Sequence, residues 1–106
     1  MSKYFFQASY TNEGVKGLLK EGGSSRLKSV TQLINGMGGS VDSFYYAFGA
    51  DDVIGIVDMP DHVSAAALSL AINASGAVTI KITVLLTVEE VDEATKKTVA
   101  YRPPGQ

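Results

Sequence analysis

A chain of 106 residues with 45% hydrophobic and 19% charged side chains reads as one domain with a core to bury. A net charge of −2 gives no basic footprint for nucleic acid, and no run of like charge marks an interaction tail. With no cysteine, disulfides, thiolate metal sites and cysteine nucleophiles are excluded.

The opening MSKYFFQASY lacks the apolar core and small-residue cleavage site of a secretory signal. No window approaches the ~18 apolar residues that span a bilayer. The expectation is a cytoplasmic protein that touches neither membrane nor nucleic acid. Asn73-Ala74-Ser75 matches a glycosylation triplet, read as chance without a secretory signal.

Lys3–Tyr10 alternates as a strand, with Tyr4, Phe6, Ala8 and Tyr10 on one face and Phe5, Gln7 and Ser9 on the other. Thr11 or Asn12 caps a short helix that runs through Lys20, and Gly22-Gly23 interrupts it. Ser24 or Ser25 restarts a helix whose Leu27, Val30, Leu33, Ile34 and Met37 form an apolar stripe. Arg26, Lys28, Gln32 and Asn35 lie largely off that stripe, and Gly38-Gly39 ends the helix. Val41–Phe48 and Asp52–Met59 are two strands of a hairpin about Gly49-Ala50-Asp51-Asp52. Asp61 caps a helix to Ala74, whose inner face is read as Val63, Ala66, Ala67, Leu70, Ala71 and Ala74. Val78–Leu86 is a β-branched strand. Thr87 and Glu90 have capping-box spacing for a last helix, about Val88–Lys97.

The order β-α-β-β-α-β plus a terminal helix predicts an α+β, ferredoxin-like fold with a four-stranded antiparallel sheet. Residues 1–98 form its single domain and 99–106 a tail. Both main helices then cover one face of the sheet. The other face carries Phe5, Tyr45, Ile54, Ile56 and Leu85, too apolar for a solvated surface. A homodimer, or a higher homo-oligomer, in which two such faces meet is the expectation. A terminal helix folded back over part of the sheet is the alternative.

From the strand running into Tyr10-Thr11-Asn12-Glu13-Gly14, through Met37-Gly38-Gly39, the hairpin and Met59-Pro60-Asp61, to Thr87, the chain resembles the GYD domain proteins. These form a small bacterial and archaeal family among the dimeric α/β barrels. The resemblance covers about residues 4–92. The family usually shows glycine, a variable residue, tyrosine and aspartate at the turn. Here Asp51 holds the tyrosine position, between Gly49 and Asp52. The family commonly carries an acidic residue where Asp58 stands. The resemblance implies the fold and the dimer and brings no catalytic residues with it.

Asp58, in an apolar strand, is the first candidate for an acid or base, against a plain solvated or hydrogen-bonded strand-end carboxylate. Tyr45 or Tyr46 would be the hydroxyl donor beside it. His62 is the lone histidine, a candidate lone haem ligand or proton shuttle and more simply a surface residue after the Asp61 cap. Gln7, Ser9, Ser43 and Thr83 are polar members of apolar strands and candidates to orient a ligand. Asp51 and Asp52 read as turn residues rather than cation ligands, so neither metal nor cofactor is expected.

Two functions follow, ahead of a third, a ligand-sensing oligomerisation module. One is a binding protein for a small hydrophobic ligand, with no defined activity. The alternative is a cofactor-independent oxygenase or isomerase acting on a small hydrophobic substrate between sheet and helices, an expectation drawn from fold analogy.

Overall fold

The computed structural model describes residues 1–106. Four strands, β1 (Ser2–Tyr10), β2 (Ser40–Tyr46), β3 (Val53–Met59) and β4 (Val78–Val84), form one antiparallel sheet in the order β2-β3-β1-β4. Helices α1 (Asn12–Glu21) and α2 (Gly23–Gly36) follow β1, α3 (His62–Ala74) follows β3, and α4 (Val88–Thr95) follows β4. The central pair is β1 with β3, and each crossover helix returns the chain to a flanking strand. This is the ferredoxin-like α+β arrangement that the element order predicts.

Strand alternation decides the two faces. Tyr4, Phe6 and Ala8 of β1 and Val53, Val57 and Met59 of β3 point to the helices and are buried. Ile34 of α2, Ala65 and Leu68 of α3 and Ile80 of β4 complete the core. Opposite Phe6 lies Gly55, and the close approach explains the glycine: a Cβ there would meet the Phe6 ring at 2.6 Å. The register of β2 slips by one between Val41 and Ser43. Asp42 is the extra residue.

The local signals for helix ends hold. Thr11 accepts from the Gly14 amide at 3.3 Å to start α1. Gly38, at φ +83°, ends α2: its amide donates to the Asn35 carbonyl, and the Gly39 amide donates to the Ile34 carbonyl, both at 3.0 Å. Asp61 accepts from the Ser64 amide at 2.7 Å, and Thr87 and Glu90 cap α4 reciprocally at 2.9 and 3.0 Å.

Three expectations change. The inner face of α3 is Ala65, Leu68 and Ile72, whereas Val63 and Leu70 are 79% and 72% exposed. The helix is apolar nearly all round, so its periodicity does not select a face. Asn73 does: its side chain accepts from the Ile80 amide at 2.8 Å and donates to the Ile80 carbonyl at 3.2 Å, fixing α3 against the free edge of β4. Phe48 lies outside β2 at φ +51°, in a loop closed by the Ala47 amide on the Asp52 carbonyl. Its ring still stacks on Tyr46, 5.8 Å between centroids.

The third change concerns the alternative of a terminal helix folded back over the sheet, which α4 does not adopt although it forms where expected. This helix buries no residue and packs substantially against no other element. The radius of gyration is 17.0 Å, against about 13 Å for a compact chain of this length, so the C-terminal segment extends past the sheet. Leu86, Val88 and Val91 are exposed on it, and the sheet face opposite α1–α3 stays open. No helix is long and apolar enough to cross a membrane.

Candidate functional site

The space between sheet and helices contains a cavity of about 60 Å³. Of its 15 lining residues 14 are hydrophobic, among them Phe6, Phe44, Val53, Leu68 and Ile80, and the remaining one is Arg26. Against it lies a wider groove of about 630 Å³ between α1, α2 and α3, which shares Tyr10, Arg26, Leu33, Leu68, Ile72 and Val78 with the cavity. Small residues line the groove, Gly17 on α1 and Ala67 and Ala71 on α3, while Gly14 lets α1 approach the Ala77 carbonyl, which a Cβ would overlap. Together the two make a cleft with a wide mouth and a narrow apolar end.

Arg26 and Tyr10 stand where groove and cavity meet. Arg26 is four residues before Val30, seven before Leu33 and eleven before Met37, so helical spacing brings it to the inner side of α2. Reading it as off the apolar stripe is corrected here, and Leu27 and Leu33 are the stripe members left partly exposed. Burial pushes the Tyr10 phenol above its ordinary pKa of 10.0. Nearby Tyr46 adds to the shift and the Arg26 charge opposes it. The phenol is therefore protonated at neutral pH and available as a donor. Tyr46 donates its own hydroxyl hydrogen to the Gly23 carbonyl at 3.0 Å, tying β2 to the start of α2.

The other candidate residues lie elsewhere. Asp58 is on the open face, and both of its carboxylate oxygens bind Lys3 Nζ, at 3.1 and 3.2 Å. Asp42 stands 3.6 Å from the same amine. The Asp58 hydrogen bond is the main reason the Lys3 pKa rises above 10.5. Gln7 and Ser9 are also on the open face, donating to the Asp51 carboxylate at 3.1 and 3.3 Å. Asp52 accepts from the Tyr10 amide at 2.8 Å. The two turn aspartates thus fasten the hairpin loop to β1. Tyr45 and Thr83 are exposed on that face, and Ser43 is half-buried there. His62 shares a hydrogen bond with the buried Tyr4 hydroxyl at the start of α3. No three His, Cys, Asp or Glu side chains gather as a metal site.

Arg26 at the cavity mouth goes beyond the sequence-based candidates. The available signal was the spacing from Arg26 to Val30, Leu33 and Met37, obscured by placing Arg26 off the apolar stripe.

An open antiparallel sheet with helices on one face and a cleft beneath them defines a ferredoxin-like α+β protein. The sequence matches the GYD domain over residues 4–95, and the chain belongs to that family. No curated protein and no solved structure matches it significantly.

Proposed function

We propose that this GYD domain protein works as a homodimer that binds a small, largely apolar molecule in the cleft of each subunit. The observation that carries the reading is the apolar cavity of about 60 Å³ continuous with a groove of about 630 Å³. Binding sites are concave, mostly apolar and marked by a few polar groups, as here by Arg26 and Tyr10. The cavity alone would hold on the order of four waters, room for the apolar end of a ligand. The groove would hold the rest.

Support for the dimer comes from the open face. Phe5, Ile54 and Ile56 form an apolar centre, and Lys3, Asp58, Gln7, Ser9, Thr79 and Lys81 form a polar border. Interfaces commonly have that anatomy. The extended α4 arm adds exposed Leu86, Val88 and Val91, apolar surface that a second subunit would cover.

The catalytic alternative, a cofactor-independent oxygenase or isomerase, would have the Tyr10 phenol as acid at the same mouth. Glu13 and Glu21 line the groove but are exposed, and no carboxylate or imidazole lines the inner cavity where an apolar substrate would sit, so binding is the reading adopted. Native mass spectrometry of freshly purified protein tests it. The expected spectrum is a two-chain mass with a small-molecule adduct. A bare single-chain mass would overturn the proposal.

A further inference from the structure

We propose that the cleft selects a monoanionic carboxylate with an apolar body, its head held by Arg26 and Tyr10 and its tail in the inner cavity. This inference rests on the ligand-binding reading above and adds the chemical class. Lys3 takes all the ion pairs in the chain, with Asp42 and Asp58, and Arg26 has none. Arg26 is a half-buried residue among apolar side chains, and with no ion pair of its own its guanidinium is free to take a counter-charge in the cleft. A carboxylate accepts two parallel N–H bonds from a guanidinium, and that planar fork is what favours arginine over lysine at such a place.

The Tyr10 phenol, kept protonated, supplies a further donor where the head would lie. Charge at the groove sets an upper limit on the anion. Glu13 and Glu21, both exposed, line the same groove as Arg26. A groove lined by one guanidinium and two carboxylates suits a single negative charge better than the double charge of a phosphate monoester. The hydrophobic lining fixes the other end. Phe44, Val53, Val57 and Ile80 offer no polar partner, so that end of the ligand is hydrocarbon.

Butyrate and its neutral amide, butyramide, whose short tails suit a cavity of about 60 Å³, separate the inference from the reading beneath it. Each is titrated into the full-length protein, with backbone amide resonances of Val30, Leu68 and Ile72 as the readout. Wild type is expected to bind butyrate roughly tenfold or more tighter than butyramide, and Arg26→Gln to bind the two alike, since a hydrogen bond to a charged group is worth about that ratio. Arg26→Lys retains the charge without the fork and is expected to fall between. Equal binding of the two probes by wild type, unchanged in Arg26→Gln, would overturn the carboxylate inference and leave the cleft as a ligand site. No perturbation by either probe would overturn both.

Discussion

The hydroxyl of Tyr4, in a side chain only 1% exposed, shares its one hydrogen bond with Nδ1 of His62, 2.5 Å away across the start of α3. The rings meet edge to face, 5.8 Å between centroids. The lone histidine of the chain thus completes the hydrogen bonding of a core phenol. A buried hydroxyl stripped of its partner costs about 1–3 kcal/mol. His62→Ala is expected to lower the unfolding free energy by about that amount in urea denaturation. Adding Tyr4→Phe should recover part of the loss, because the orphaned group is then gone. Strictly additive losses would show that the pair does not interact.

Two exposed charges set opposite ends of the stability profile. Asp61 is held below its ordinary pKa of 3.8, chiefly by the Ser64 amide, so its contribution is present above that value and is lost as pH falls through the lower, folded one. Lys3 is raised above 10.5 by Asp58, so its contribution is present below 10.5 and is lost as pH rises through the higher, folded value. Melting temperatures from pH 2 to 12 check both signs. Asp61→Asn keeps a capping oxygen without the titrating charge and should flatten the acid limb alone. Lys3→Met should flatten part of the alkaline limb alone.

The open face makes a prediction about assembly. Ile56 sits between Phe5 of β1 and Ser43 of β2, near the middle of the apolar patch, and Ile56→Glu would bury a charge if two faces meet. Sedimentation velocity at micromolar concentration should give a dimer for wild type and a monomer for Ile56→Glu. The far-ultraviolet spectrum should stay intact, since the side chain leaves the core side of β3 untouched. A wild-type monomer would remove the dimer from the account.

Much of the fold was legible in the sequence, because strands and caps are local. Tyr4-Phe6-Ala8 alternation, the Asp61 cap, the Thr87–Glu90 box and the Gly38 stop each rest on residues within a few positions of one another. The face of α3 was not legible, since alanines surround it and its orientation depends on Asn73 reaching Ile80 in another element. The same holds for the cleft. Its Arg26 and Tyr10 come from different elements, and only the fold brings them to one mouth. Asp58 drew attention as a carboxylate in an apolar strand, and its partner, Lys3, is 55 positions away in sequence.

The cleft as a binding site is the central claim, and a neutral probe tests it without reference to charge. Thermal unfolding of wild type with toluene well above its dissociation constant should shift upward by a few degrees, as for any ligand that binds only the folded state. Ala71 is exposed on α3 and lines the groove, so Ala71→Trp should fill the mouth and leave the core in place. The account predicts a toluene shift in wild type that Ala71→Trp abolishes. No shift in wild type, or an equal shift in both proteins, would contradict it.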